Sequence, residues 1–389
     1  MPDFPFERLR RWPDVEATNL FAVDASDRLI LDEAGAGLAA AGVGEVVVLE
    51  DRYGALTLAA AAELGVRLAR APDIRVHQDG LSGQLALDHN AADLAGVVPD
   101  LAGLPGAYRH VPLGAELFAG ARLVLLQLPR SLAALDELAG AIARFAAPDV
   151  TVLAGGRIKH MTVAMNEVLR RHFGEVRVTQ ARQKSRGLIA TQPTPPEPSE
   201  SDWPRSVEHP DLGLTVCAHG AAFAGTTIDI GTRYLLEFLG RMKPNAVNAI
   251  DLGCGTGVLA AALAQARPDL RVLATDQSAA AVASAAATMR ANGVADRVRV
   301  LRDDALSAQP DASAELILLN PPFHIGSSVH AGIALKLFED AARVLRPGGE
   351  LWTVWNTHLG YRPALTRIVG PTHQAGRGTK FTVTVSTRR

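Results

Sequence analysis

Cysteine is nearly absent. Cys217 and Cys254 are the only two in 389 residues, far apart and outside any Cys-x-x-Cys or Cys/His cluster. That argues against a disulfide framework and against a zinc site, and no metal is expected. No run is long and apolar enough to span a bilayer, so a membrane partner is not expected either. Met1 to Arg11 is polar and charged and lacks the apolar core of a secretory signal, which points to a cytoplasmic site of action. Net charge is also nearly absent, at −2, but it is not evenly spread. Thr151 to Ala190 carries eight Lys/Arg against Glu167 and Glu175, and Tyr361 to Arg389 carries six Lys/Arg and no acid. Segregated charge of this kind fits polyanion contact on particular faces, although a solvated basic face accounts equally well for either segment alone.

What is present is glycine, alanine and short aliphatic runs. Hydrophobic residues make up 48% with 35 glycines, a composition that suits α/β packing, and the length implies two domains. Strands are expected at Glu45 to Asp51, Ile74 to Gln78, Ala121 to Arg130, Asp149 to Ala154, Glu175 to Thr179 and Arg186 to Thr191. Helices are expected from Ala55 to about Leu64, Ser131 to about Phe145 and Met161 to Phe173. Gly80 to Gly120 resists parsing. Gln192 to Pro204 is proline-rich, polar and aperiodic, an extended linker. Beyond it a short strand starts at Leu214 and a helix runs from Thr227 to Phe238. Strands follow at Ala246 to Asp251, Arg271 to Asp276, Arg297 to Leu301, Glu315 to Leu319, Glu350 to Trp355 and Phe381 to Ser386. They alternate with helices at Val258 to Ala266, Ala279 to Ala291 and Ala331 to Leu345, with a turn at Arg346 to Gly349. Such alternation predicts right-handed crossovers and a mainly parallel, doubly wound sheet in each half.

The halves read as copies of one another. Val47 to Leu56 aligns with Asn248 to Leu259, and Val124 to Arg130 with Ile317 to Phe323. In the first copy Arg52 and Tyr53 fill the turn where glycines stand in the second, and Gln127, Leu128 and Arg130 replace Asn320, Pro321 and Phe323. The pattern is an old duplication in which one copy kept chemistry and the other kept shape.

In the second copy, Asp251-Leu252-Gly253-Cys254-Gly255-Thr256-Gly257 joins a strand to a helix, where glycines let a ligand approach the backbone at a helix N-terminus. Its Gly-x-Gly-x-Gly spacing departs from the dinucleotide fingerprint, so a pyrophosphate is not the natural guest, whereas a carboxylate is. Asp276 ends the next strand, about 20 residues past the loop, where an acid meets ribose hydroxyls. Asp304 follows the third strand and can accept from an adenine amino group. Asn320-Pro321-Pro322-Phe323 ends the fourth: the Asn320 side-chain oxygen and the Pro321 carbonyl can each accept from a planar amine, and Phe323 offers a ring face to its base. Each feature alone has a plain explanation in a turn or a solvated strand end. Their order on four consecutive strand ends favours a site.

DLGCGTGVL with Asp276 and NPPF resembles the S-adenosylmethionine-dependent class I methyltransferases. NPPFH after a decayed first copy is similar to the ribosomal RNA guanine-N2 methyltransferases, the small-subunit methyltransferase C and large-subunit methyltransferase G types. His219-Gly220, Asp229 to Arg233, Asn356 to Tyr361 and the basic C-terminus look closer to the large-subunit type. The resemblance implies two tandem doubly wound Rossmann-like methyltransferase domains, a degenerate RNA-binding one at 1–191 and a catalytic one at 207–389, joined by a linker at 192–206. It implies S-adenosyl-L-methionine as cofactor, with Asp251, Gly253, Gly255 and Gly257 around the methionine part, Asp276 on the ribose and Asp304 on the adenine. Asn320, Pro321, Pro322 and Phe323 then hold the target guanine, with His324 either orienting the base or serving structure. Ribosomal RNA or a ribosomal particle is the expected partner, the protein acting as a monomer. Arg157, Lys159, Arg170, Arg171, Arg182, Lys184 and Arg186, with Arg377, Lys380, Arg388 and Arg389, are the cations available for it. A protein glutamine N5-methyltransferase also uses Asn-Pro-Pro before an aromatic, and a non-catalytic RNA-binding ribosome assembly factor with a fossil pocket is the remaining alternative.

Overall fold

The computed structural model describes residues 4–14, 16–195, 203–322 and 331–389. The expectations placed on Phe323 and His324 lie outside the described residues. The chain divides into two compact units, Met1–Trp203 and Pro204–Arg389.

The first unit contains β1 (Val46–Leu49), β2 (Ile74–His77), β3 (Tyr108–His110), β4 (Leu123–Gln127), β5 (Thr151–Arg157), β6 (Phe173–Val178) and β7 (Ser185–Pro193). They form one sheet in the order β3-β2-β1-β4-β5-β7-β6. Around it lie α1 (Ala25–Ala40), α2 (Ala55–Leu68), α3 (Leu81–Val97), α4 (Ala115–Phe118), α5 (Leu132–Phe145) and α6 (Val163–Arg170). The second unit begins with a hairpin, β8 (Arg205–His209) and β9 (Leu214–Ala218), then α7 (Ile230–Leu236). It continues β10 (Asn248–Leu252), α8 (Val258–Ala266), β11 (Arg271–Asp276), α9 (Ala279–Ala291), β12 (Val298–Arg302), β13 (Ala314–Leu319), α10 (Ala331–Val344), β14 (Leu345–Asn356), α11 (Arg362–Ile368), β15 (Thr372–Arg377) and β16 (Phe381–Thr387). Its sheet order, β12-β11-β10-β13-β14-β16-β15, repeats that of the first unit strand for strand.

Side-chain alternation explains why these runs are strands. In β13, Leu316 and Leu318 enter the cluster under α8 and α9, while Ile317 and Leu319 enter the cluster under α10 and α11. A strand buried on both faces needs aliphatics at every position, and each one fully removed from water is worth about 1.5–3 kcal/mol. Strand order reverses between β10 and β13, and the crevice outside their carboxyl ends is where this architecture binds ligands.

Several segments depart from expectation for physical reasons. α1 was not foreseen because Gly35 and Gly37 dilute its apolar stripe; its signal is the reciprocal capping box of Asp24 and Asp27. Gly80 to Gly120 holds α3, β3 and α4, of which β3 is a three-residue polar edge strand. The expected helix at Thr227 to Phe238 starts only at Ile230, behind the cap Asp229. β7 reaches Pro193 and β8 starts at Arg205, so the segment between the sheets is shorter than the expected linker. Arg346 to Gly349 is a bulge inside β14, whose pairing with β13 jumps from Ala314 and Leu345 to Leu316 and Glu350.

One edge of β9 is closed by side chains of α9 instead of a strand. Ser284 Oγ accepts from His219 N (2.8 Å), Thr288 Oγ1 accepts from Cys217 N (3.0 Å), and Asn292, just past the helix, accepts from Thr215 N (3.0 Å) and donates to Thr215 O (2.7 Å). Four helical residues rise about 6 Å and two strand residues about 6.6 Å, so side chains at i, i+4 and i+8 keep step with alternate strand amides. This fixes the strand from which the chain leads to Asp229. Replacing Thr288 by Val should leave the Cys217 amide unpaired in a buried place and lower stability by about 1–3 kcal/mol. Thr288→Ser should restore it; equal thermal midpoints for Val, Ser and wild type would contradict the zipper.

Candidate active site at the carboxyl ends of the second sheet

Beyond β10 the chain turns through three left-handed glycines, Gly253 (φ +69°), Gly255 (+53°) and Gly257 (+80°). They serve different ends. A Cβ on Gly257 would lie 2.7 Å from Met289 Cε and 3.0 Å from Ala285 Cβ, so this glycine lets α8 pack on α9. A Cβ on Gly253 or Gly255 would meet nothing within 4 Å. Those two face open space, as a backbone cradle for a ligand must. The loop is tied to β11 by Gly253 N and Cys254 N, which both donate to Thr275 O, and by Gly255 N, which donates to Asp276 Oδ2 (3.0 Å).

Asp251 lies beneath this loop, 2% exposed. Its Oδ2 accepts from Ala260 N (3.0 Å) at the start of α8, while Oδ1 has no partner among the described residues. Burial pushes its pKa up to about 7; the Ala260 N–H opposes the rise and the charge of Asp276 adds to it. An orphaned carboxylate oxygen below an open glycine cradle fits a ligand that carries a cationic amino group beside a carboxylate, which describes the amino-acid end of S-adenosylmethionine. Burial raises the Cys254 thiol well above its usual range, so it stays protonated and inert.

Asp276 closes β11, with Oδ1 accepting from Ser278 N (2.9 Å). The two acids after β12 differ. Asp303 is buried and accepts from Ser307 Oγ (2.7 Å), Ala308 N and Gln309 Nε2, the bonds of an internal cap. Asp304 is partly exposed and ion-paired to Lys336 of α10.

Asn320 follows β13, with Pro321 buried and Pro322 exposed. Its Nδ2 donates to Asp229 Oδ2 (2.7 Å) and Thr232 Oγ1 (3.0 Å), at the N-terminus of α7. Asp229 caps that helix, accepting from Gly231 N, Thr232 N and Thr232 Oγ1. Because an ionised carboxylate only accepts, the amide must turn its NH2 to Asp229 and its oxygen away. Asn320 Oδ1 is buried and has no partner among the described residues. Gly231 allows the approach, since a Cβ there would sit 3.2 Å from the Phe381 ring and 3.5 Å from Asn320 Nδ2. Asp229 and Thr232 as partners of Asn320 were missed in the sequence. The Asp-x-x-Thr pattern marks a helix cap, but nothing local pairs it with a residue 91 positions away.

In the first unit the same positions are filled or satisfied. Asp51 accepts from both Leu56 N and Thr57 N (2.8 Å each). Tyr53 is buried, its hydroxyl on Asp14 and its carbonyl on Asn90, which also bonds both backbone groups of Arg10. Gln127 donates to Asp27, and its amide oxygen lies 3.2 Å from Ser26 Oγ, whose single proton Asp24 Oδ1 also accepts, so this oxygen has a hydroxyl beside it. Of the expected RNA-binding cations, Arg170, Arg171 and Arg182 are ion-paired with Glu167, Asp136 and Asp32.

Residues 213–385 match the family model of the Methyltransferase small domain, and residues 3–195 match that of the RLMG N-terminal domain. The ribosomal RNA large subunit methyltransferase G of Streptomyces avermitilis is 34% identical over 98% of this chain and 94% of its own length. That of Pseudomonas aeruginosa strain UCBPP-PA14 is 36% identical over 98% and 99%. A solved T. thermophilus 16S rRNA N2 methyltransferase, in complex with AdoMet and guanosine, shares the fold at 22% identity with a TM-score of 0.72, covering 94% of this chain and 92% of that one. With a duplicated sheet, an open glycine cradle in only one copy and relatives matched end to end, the chain belongs to the ribosomal RNA large subunit methyltransferase G family.

Proposed function

We propose that this chain transfers a methyl group from S-adenosyl-L-methionine to the exocyclic N2 amine of a guanine in ribosomal RNA, large-subunit RNA rather than small-subunit. The observation that carries this reading is the Asn320 amide, held by its nitrogen, with a buried oxygen that no described residue pairs, beside the switch-point crevice. When bound, the cofactor supplies an electrophilic sulfonium methyl. Gly253 and Gly255 give it backbone to lie on, Gly257 opens α8, and Asp251 Oδ1 supplies an acceptor for its amino group. Asp276 takes the ribose and Asp304, on the oxygen that Lys336 leaves, the adenine.

Guanine's exocyclic nitrogen is a poor nucleophile because its lone pair is delocalised into the ring. Asn320 Oδ1 and the Pro321 carbonyl accept its two protons, which draws the nitrogen toward tetrahedral geometry and aligns it, while Pro322 fixes the turn and Phe323 offers the base a face. Asp229 and Thr232 keep the Asn320 oxygen aimed. No metal and no strong base is required. The first unit holds flanking RNA, the protein works as a monomer, and its place of action is the cytoplasm. The glutamine-methyltransferase and assembly-factor alternatives are not favoured: the curated relatives matched over the whole chain are ribosomal RNA methyltransferases, and the open acceptors of the second unit are intact.

Calorimetry on the full chain should find one cofactor site, and Asp276→Ala should weaken it by about 1–3 kcal/mol. Affinity should fall as pH drops through about 7, where Asp251 takes up a proton and loses its charge. Asp251→Asn should flatten that profile. Two sites, or a pH profile unchanged in Asp251→Asn, would count against the assignment.

Asn320→Ala should lower kcat by roughly 100-fold or more with cofactor affinity nearly unchanged, as expected for a group acting on the reacting centre. Thr232→Val, which keeps Asp229 as a partner, should cost less. Single-turnover rates for Asn320→Ala near wild type would refute the role.

A further inference from the structure

We propose that the carboxyl edge of the first sheet is a phosphate clamp for the substrate RNA, in which Arg52, Arg130, Arg157 and Lys159 close around His160. The inference rests on the reading of the chain as an RNA methyltransferase and names the surface that holds the RNA backbone.

These residues follow three neighbouring strands. Arg52 comes after β1, Arg130 after β4, and Arg157 to His160 close β5; the strands are parallel and in register, Leu49 beside Leu126 and Gln127 beside Gly155. Because the two sheets share one strand order, this edge matches the one that in the second unit presents Gly253, Asn320 and Asn356. At this edge two of the side chains meet, Arg130 Nη2 lying 3.4 Å from His160 Nε2. Burial, then the charges of Arg130, Lys159, Arg52 and Arg157, hold the His160 pKa below its ordinary value.

The charge of Arg52 is felt by the buried carboxyl of Asp51, but no acid pairs with the cluster among the described residues. Among the described residues none of Arg52, Arg130, Arg157 and Lys159 is in an ion pair, whereas Arg170, Arg171 and Arg182 of the same unit each have an acid. Gathering like charges without acids opposes folding, so the arrangement calls for an anion. Arg52 also holds a left-handed conformation, φ +64°, that glycine would adopt at less cost. Next to Arg52, in the turn where the other copy has its open glycines, Tyr53 is buried and its carbonyl is bonded by Asn90, which also bonds Arg10. Several exposed cations beside a filled turn suit a chain of phosphates at the surface better than a small ligand that needs enclosure.

The test titrates the full chain with protein-free large-subunit ribosomal RNA across a potassium chloride series, beside cofactor binding and N2-methylguanine formation. The variant Arg52→Asn/Arg130→Gln/Lys159→Gln changes three exposed cations. It should lose about 10- to 100-fold in RNA affinity and flatten the log–log salt slope by about 2–3, as for loss of three phosphate contacts. Its thermal midpoint should hold or rise, because like charges and a strained arginine are removed, and its cofactor affinity should stay at the wild-type value. Arg130→Lys/Lys159→Arg should keep the slope, and Arg170→Gln/Arg182→Gln, which removes ion-paired cations, should change it by less than one. A wild-type slope in the triple variant, or an equal loss in the ion-paired control, overturns the clamp. Absence of N2-methylguanine with the wild-type chain overturns the underlying reading instead.

Discussion

An amide whose NH2 can reach only acceptors has one way to point its oxygen. Asn320 is in that position between Asp229 and Thr232, and much of the second unit serves to keep it there. Asp229 is fixed because it caps α7, and α7 comes close because residue 231 has no Cβ to strike Phe381. The segment before it is anchored where β9 is laced to α9 by Ser284, Thr288 and Asn292. Asn320 itself is delivered by β13, buried on both faces, and halted by two prolines that have no N–H to continue a ladder. A single side-chain orientation therefore draws on a helix cap, a glycine contact, a strand end and a helix-to-strand zipper.

The first unit shows what becomes of the same frame without that demand. Gln127 stands where Asn320 does, and Asp27, three residues past the cap Asp24, stands where Thr232 does past Asp229. The hydrogen bonds run along the same route, from strand-end amide to helix cap, but the amide oxygen now has Ser26 Oγ beside it, whose one proton it shares with Asp24. Burial pushes Asp27 up to about 7, so this acid of the internal network is only partly ionised at neutral pH. The route survives as a device for docking a helix on a sheet; what was lost is the spare acceptor.

Much of this was legible in the sequence, and the boundary between legible and illegible is physical. The aliphatic runs of β10 and β13 are stopped by Gly253 and by Pro321, and that of β11 ends on the acid Asp276, so these three strands end close to where the pattern put them. The duplication was legible because burial on both faces forces the same aliphatic runs in both copies. α1 and the short β3 were not, since glycines blunt the period of one and edge exposure leaves the other polar. The partners of Asn320 were not legible because a cap motif records only its local role. The division of labour among the three glycines was also hidden: Gly257 is required by Met289 and Ala285, which arrive from another helix, and no spacing rule separates it from Gly253. The expected cations were ranked by density along the chain, whereas what distinguishes them is whether an acid from elsewhere in the fold, such as Asp32 or Asp136, already neutralises them.

Unsatisfied buried groups in a folded protein cost stability, and their placement therefore carries information. Among the described residues Asp251 Oδ1 and Asn320 Oδ1 are unpaired on neighbouring strands at the crevice where the order of the second sheet reverses, while their counterparts Asp51 and Gln127 have partners for both atoms. The difference cannot come from the sheet, which is the same in both units. Leaving two acceptors open in the interior is disfavoured unless something binds there to fill them, and the two call for different donors. The acceptor beneath the glycine loop suits a cation, because a positive charge beside Asp251 would offset the burial that raises its pKa. The acceptor at Asn320 is a neutral amide and suits a neutral amine. Two openings of unlike chemistry on adjacent strands describe a site for two reactants, and the sealed copy in the same chain is the control that makes the contrast readable.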